Sequence, residues 1–280
     1  MQRRVDGAPC HRLSCKPATI DRGRMAAFVL SKWYLDCLTA AGDASIAYTG
    51  AVHWGPVRLH YSSLLESTDG NVSLKHSLRP QPQPHVNSGS LHWRSAALEL
   101  NGEWCPASQE LRNTIFASEA GSIDWHCLMP RAQVRLGRRC GLGYVEHIHM
   151  TVAPWKIPIR TLRWGRFATP SDWIVWIDWR GEFMRRLVYR NGREIAASLL
   201  EDDEIRFEDG ARLVLDRSFV LREGPLGATA LSAIPGVRDT FPARLLLVRE
   251  CKWRSRARLE HPGRPAVEAW SIHERVTWPE

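Results

Sequence analysis

The sequence predicts an all-β protein made of two similar halves, and three observations carry that reading. Apolar residues recur mostly at every second position, the period of a strand with one buried face, while long helical periodicity is scarce. Turn residues punctuate the chain at short intervals, as in a sandwich or barrel. The chain also repeats itself. Trp33-Tyr34-Leu35-Asp36 with Trp54-Gly55 is matched by Gly143-Tyr144-Val145-Glu146 with Trp164-Gly165, so that Tyr34 and Tyr144, Asp36 and Glu146, and Trp54 and Trp164 each stand 110 positions apart. Two copies are too few for a solenoid. The natural reading is a pair of domains, each offering one carboxylate at the same place, with a site where the copies meet or in the mouth of one of them.

The elements follow in order. Phe28 to Leu38 and Ala44 to Val52 read as strands around a hairpin loop, Thr39-Ala40-Ala41-Gly42-Asp43. Val57 to Leu65 follows Gly55-Pro56, and Leu91 to Leu100 ends at Asn101-Gly102, a tight-turn signal. The stretch Gln81 to Gly89, entered through Arg79-Pro80-Gln81-Pro82-Gln83-Pro84, reads as an irregular loop. Val134 to Leu136, Tyr144 to Val152, Trp173 to Trp179 and Leu187 to Arg190 are further strands, with turns at Arg180-Gly181 and Asn191-Gly192. Arg212 to Leu221 alternates. Pro225 to Pro242, rich in Gly, Ala and Pro, reads as a second long loop. Arg244 to Arg258 and Ala266 to Val276 form a closing hairpin around His261-Pro262-Gly263.

A chain of 280 residues suits two domains or one large β domain and buries a sizeable core. Its 13 tryptophans bring large apolar area and imply a thick core or an aromatic-lined cavity. The net charge of +8 permits anionic partners, but no nucleic-acid motif accompanies it, so nucleic acid is not expected. The basic surface suits peripheral membrane contact or an interaction module. Lys252, Arg254, Arg256 and Arg258 alternate, which predicts one solvated strand face. The seven cysteines, Cys10, Cys15, Cys37, Cys105, Cys127, Cys140 and Cys251, are odd in number and form no Cys-x-x-Cys pair, so neither a disulfide framework nor a zinc site is indicated. A reducing, cytoplasmic location fits. The apolar run Met25 to Leu30 is too short for a signal-peptide core or a membrane span. Met25 is a candidate start, with residues 1–24 a disordered lead.

The densest chemistry lies in Asp124-Trp125-His126-Cys127-Leu128-Met129-Pro130-Arg131-Ala132 and in Gly141-Leu142-Gly143-Tyr144-Val145-Glu146-His147. In a strand, Tyr144 and Glu146 project to one face, where the phenol can orient the carboxyl. In an apolar pocket, desolvation raises the carboxyl pKa, and the neutral acid can then protonate an alkene or an oxygen. Trp125 could stabilise the cation with its ring face. His126 could return the proton or hold water. The structural alternative is a buried pair that only fixes packing. His147 and His149 fall on the face opposite Glu146 and make a weak metal signal. No Gly-x-Ser-x-Gly elbow and no phosphate loop is present.

Trp33-Tyr34-Leu35-Asp36, the run ending in Pro130-Arg131-Ala132, and Gly143-Tyr144-Val145-Glu146 together resemble the carotenoid 1,2-hydratase (hydroxyneurosporene synthase) and AttH-like group, from about Lys32 to Trp179. The resemblance implies two tandem lipocalin-like antiparallel β-barrels, here taken as residues 25–138 and 139–280. It implies an acid-catalysed hydration, isomerisation or cyclisation of a hydrophobic polyene or terpenoid without cofactor or metal. Carried over from the family's Tyr-x-Asp pair, Glu146 is the proton donor, Tyr144 its orienting partner and His126 a helper, with Trp125, Tyr34 and Asp36 on the substrate side. Here the acid is Glu rather than Asp, and Trp and His are adjacent with Trp first. The alternative is a non-catalytic carrier of a hydrophobic ligand.

Overall fold

The computed structural model describes residues 28–279. The lead over residues 1–24, with Cys10 and Cys15, and the candidate start Met25 lie outside the described residues.

The chain forms two curled antiparallel sheets of ten strands each. The first contains β1 (Phe28–Leu38), β2 (Ala44–Trp54), β3 (Val57–Thr68), β4 (Asn71–Ser77), β5 (His85–Asn87), β6 (Ser90–Ser95), β7 (Leu100–Pro106), β8 (Leu111–Ser118), β9 (Gly121–Leu136) and β10 (Arg139–Met150). The second contains β11 (Ile159–Ala168), β12 (Trp173–Gly181), β13 (Arg185–Arg190), β14 (Arg193–Glu194), β15 (Ala197–Leu200), β16 (Glu204–Phe207), β17 (Arg212–Leu215), β18 (Phe219–Pro225), β19 (Arg249–His261) and β20 (Arg264–Thr277). The first sheet runs β4-β3-β2-β1-β10-β9-β7-β6-β5 with β8 on β9. The second runs β14-β13-β12-β11-β20-β19-β17-β16-β15 with β18 on β19. The halves therefore repeat strand for strand, each as a half-barrel with unpaired edges.

The duplication has a different period from the one the sequence suggests. Tyr144 and Glu146 lie on β10, the direct neighbour of β1 in the same sheet, where Asp36 pairs with Tyr144 and Tyr34 with Glu146. The counterpart of β1 is β11, so Asp36 corresponds to Arg166 and Tyr34 to Trp164. Each stands at the same distance from its strand end, Leu38 or Ala168. The Trp-Gly elements are not equivalent, since Gly55 sits in a turn and Gly165 within β11. The expected division at residue 139 moves for the same reason. β10 completes the first sheet, and the chain changes sheets between Met150 and Ile159.

Alternation along β1 and β10 builds two cores. Leu35, Cys37 and Val145 point into the first half-barrel, which Trp93 and Trp104 fill. Either indole cut to alanine would cost about 3–5 kcal/mol. Tyr34, Tyr144 and Trp125 point the other way, into a core shared with Trp164, Trp173, Trp179 and Ile272 of the second half. The long strand β9 serves both cores. Cys127 pairs with Glu146, Met129 with Val145 and Ala132 with Gly143, and this bulged register turns β9 from the shared core to the interior. Gly143 permits the close approach, because a Cβ there would stand 2.2 Å from the Asp36 carbonyl oxygen.

Several local readings change. Asn101-Gly102 lies within β7, not in a turn, because the Trp104 indole folds over Gly102 and covers it. The turn falls at residues 96–99. Arg212 to Leu221 is broken into β17 and β18. The Pro-rich loop closes the first half-barrel, with Trp93 Nε1 donating to the Pro82 carbonyl at 2.8 Å and Ser95 Oγ to Gln81 Oε1 at 2.9 Å. The second long loop, Pro225 to Pro242, contains the single-turn helix α1 (Val237–Thr240); a second, α2 (Ala243–Leu246), takes the first positions expected of the closing hairpin, whose first strand begins only at Arg249. Among the described residues no helix is long and apolar enough to cross a membrane.

A candidate active site between the two sheets

With both half-barrels filled by their own side chains, the space left lies between them. A cavity of about 330 Å³ opens where the sheets diverge. The alternation that sends Tyr34 into the shared core also sends Phe28, Leu30 and Lys32 of β1 to the cavity wall. The same holds for Tyr48, Gly50 and Val52 of β2 and for Glu274 and Val276 of β20. The loop after β18 closes the other side with Leu231, Ile234, Phe241 and Leu245, and Trp155 and Trp278 complete an apolar wall.

The polar lining is concentrated in five side chains: Lys32, Tyr48, Arg222, Glu250 and Glu274. Arg222 Nη2 donates to Glu250 Oε2 at 2.9 Å, and Thr229 Oγ1 donates to the other oxygen at 2.7 Å. Lys252, fully buried just behind the lining, pairs with Glu274. Lys32 is in no ion pair among the described residues, and its ammonium stands over the Tyr48 ring at 4.8 Å. Burial pulls Lys32 below the ordinary lysine value, although Glu274 and Glu146 oppose the shift. Burial would raise Glu274, but Lys252, Lys32 and Arg222 outweigh it and hold the carboxyl below its usual range. Burial pushes the Tyr48 phenol up to about 12.

The residues singled out from sequence divide into two groups. Tyr144, Glu146 and Trp125 come together, with Trp125 turned to Glu146 by its indole N–H. Tyr144 Oη donates to Glu146 Oε2 at 2.6 Å and Trp125 Nε1 to the same oxygen at 2.7 Å, leaving Oε1 free of both. Burial raises the Glu146 carboxyl, and these donors only partly offset it. The trio is not part of the cavity lining; it stands behind Lys32, close enough for the two charges to interact. Tyr34 and Asp36 lie deeper, between the sheets. Asp36 meets Arg166 in a bidentate pair at 2.5 and 3.1 Å, and the Tyr34 ring packs edge-on to Trp164 at 4.9 Å. They join the halves rather than line the cavity. His126 points away from Trp125 and Cys127, as strand alternation requires, and binds Glu110 at 2.6 Å on the outer surface.

Lys32, Tyr48, Arg222, Glu250 and Glu274 were not singled out from sequence. Lys32 carried a legible signal, since it stands two and four positions before Tyr34 and Asp36 on the same face of one strand. Lys252 was misplaced on a solvated face. On the face that Lys252 shares, full exposure begins only at Arg256, and Glu274 neutralises Lys252 inside. Among the described residues no group of three or more His, Cys, Asp or Glu is arranged to hold a metal.

No protein-family model matches the chain, and no curated protein matches it in sequence. Solved structures do. CghA solved with Sch210972 superposes with a TM-score of 0.54 at 11% identity, over 90% of this chain and 89% of that one. A putative AttH from Nitrosomonas europaea gives 0.53 at 11% identity over 95% and 98%. Kievitone hydratase from Nectria haematococca gives 0.50 at 9% identity over 90% and 89%. At these identities the likeness is one of fold: the chain has the tandem lipocalin-like architecture along its whole described length.

Proposed function

We propose that the chain is a cofactor-independent enzyme. It draws a mostly apolar polyene- or terpenoid-type molecule into the cavity between the sheets and hydrates, isomerises or cyclises it by acid catalysis. The observation that carries this reading is an apolar cavity ending on Lys32 and Glu274, two side chains whose environments move them in useful directions. An ammonium below its ordinary pKa gives up a proton more readily, so Lys32 acts as the acid on a substrate oxygen or on an alkene conjugated to one. Glu274, held as the ion, takes a proton back after water or a second alkene has added. Glu146 is a positioning residue here. Its carboxyl, fixed through Oε2 by Tyr144 and Trp125 and raised by burial toward the neutral form, stands behind Lys32 without serving as its counter-ion. The fold neighbours include a protein named a hydratase, which supports this class of reaction.

One observation favours the carrier reading instead. Tyr144, Trp125 and Glu146 satisfy one another away from the cavity lining, as a purely structural trio would. The deciding experiment incubates a lipid extract of the source cells with wild type, Lys32→Met or Glu274→Gln in heavy-oxygen water, followed by untargeted mass spectrometry. A species consumed by wild type alone supports the enzyme. A labelled product means hydration, and an isomer of unchanged mass means cyclisation or isomerisation. If all three proteins retain the same unaltered lipid, the chain is a carrier.

A further inference from the structure

The charges around the cavity do not cancel among themselves. Arg222 is matched by Glu250, and Lys252 by Glu274. Glu146, the remaining acid, is raised by burial toward its neutral form. Lys32 is left over. Its part-exposed surface faces the cavity, and its ammonium rests on the Tyr48 ring. Every charged group that acts on it, from β10, β18, β19 and β20, is either paired or neutral-leaning: Glu146, Arg222, Lys252 and Glu274. A buried ammonium with no counter-ion is costly, which is why burial lowers its pKa; a ligand that brings the missing negative charge removes the cost and keeps the ammonium protonated. Apart from the paired charges already named, the wall offers no second charge, and Phe28, Leu30, Trp155, Ile234 and Phe241 make it mostly apolar.

We infer that the natural ligand carries a single carboxylate, which seats on the Lys32 ammonium, while its apolar body fills the space against Trp155, Ile234 and Phe241. The inference rests on the cavity being the binding site and adds the substrate class. The cavity is at the small end of ligand pockets, about 300–1,000 Å³, so the body is a medium-length chain or a compact ring system. A dianion would bring one negative charge too many, and a cation would repel Lys32.

The test uses the full chain and two probes of equal length, dodecanoate and methyl dodecanoate, titrated at neutral pH with the change in intrinsic tryptophan fluorescence, to which Trp155 and Trp278 of the cavity wall contribute, as the readout. Wild type is expected to bind the acid about tenfold or more tighter than the ester, the worth of one charge-assisted contact. Lys32→Met and Lys32→Gln should lose that preference while still binding the ester. Equal affinity of wild type for acid and ester, or an acid preference surviving in both variants, overturns the head-group inference and leaves the cavity as a site for neutral molecules. If neither probe changes the fluorescence of wild type, the cavity reading falls with it.

Discussion

Glu146 on β10 and Glu274 on β20 hold equivalent places in the two halves. One lies beside Tyr34 and the other beside its counterpart Trp164, across the inner strand pair of each sheet. Their states nevertheless diverge. The next strand places Cys127 opposite Glu146 and Lys252 opposite Glu274. With only Tyr144 and Trp125 as neutral donors, the first carboxyl is driven toward the acid form; with an ammonium in contact, the second is held as the ion. A duplicated fold thus supplies two copies of one carboxyl group, and a single neighbouring residue decides which is driven toward the neutral form and which is held as the ion. The same exchange of type recurs at Asp36 and Arg166, equivalent positions that carry opposite charges and bind each other across the interface.

The comparison breaks hardest where a charge loses its partner. Arg166→Leu leaves Asp36 fully buried with only the Tyr34 phenol and the Tyr144 backbone N–H as donors and should cost about 3–5 kcal/mol in urea unfolding. The double variant with Asp36→Leu should recover much of that loss. Lys252→Met strands Glu274 in the same way. It should destabilise by a similar ~3–5 kcal/mol at pH 7, less at pH 4, and Glu274→Gln should relieve it.

A second difference between the halves appears at Val145 and His273, equivalent interior positions. The His273 ring stacks on Trp253 at 5.1 Å and bonds Ser255 at 2.8 Å, and burial lowers its pKa from 6.5 to about 3. A histidine depressed in the folded state stabilises it above its unfolded pKa and loses that contribution as pH falls. Wild type should therefore lose roughly 4 kcal/mol between pH 6.5 and 3 that His273→Gln does not lose.

The smallest effect belongs to Glu146→Gln. Below the ordinary carboxyl value of 4.5 it should stay within about 1 kcal/mol of wild type, because an amide oxygen can accept from Tyr144 and Trp125. A carboxyl raised in the folded state contributes fully below its unfolded pKa and less as pH rises through the raised value. The variant should therefore gain on wild type as pH rises above 4.5, the opposite sign to Glu274→Gln, measured by parallel unfolding curves.

Period-two alternation made the strands legible, and with them the pairing of Tyr144, Glu146 and Trp125. It also contained the turned-away His126, because adjacent strand residues cannot share a face. The true period of the duplication was not legible. The residues that repeat by type, Tyr34 and Tyr144, are neighbours on paired strands, whereas the residues that repeat by position, Asp36 and Arg166, have opposite chemistry. The cavity was hidden for a related reason. Its four charged side chains come from four separate strands, β1, β18, β19 and β20, with Tyr48 from a fifth, and no local pattern announces that Lys32, Tyr48, Arg222, Glu250 and Glu274 converge.

The division of labour between the two carboxyls is tested most directly by NMR titration of protein labelled with carbon-13 at the Glu side-chain carboxyl, with Glu146→Gln and Glu274→Gln used to assign the two signals. The account predicts that Glu146 titrates above 4.5 and Glu274 below it in wild type, and that Lys252→Met moves Glu274 up toward its counterpart. Two carboxyls titrating together in wild type, or a Glu274 unmoved by loss of Lys252, would contradict it.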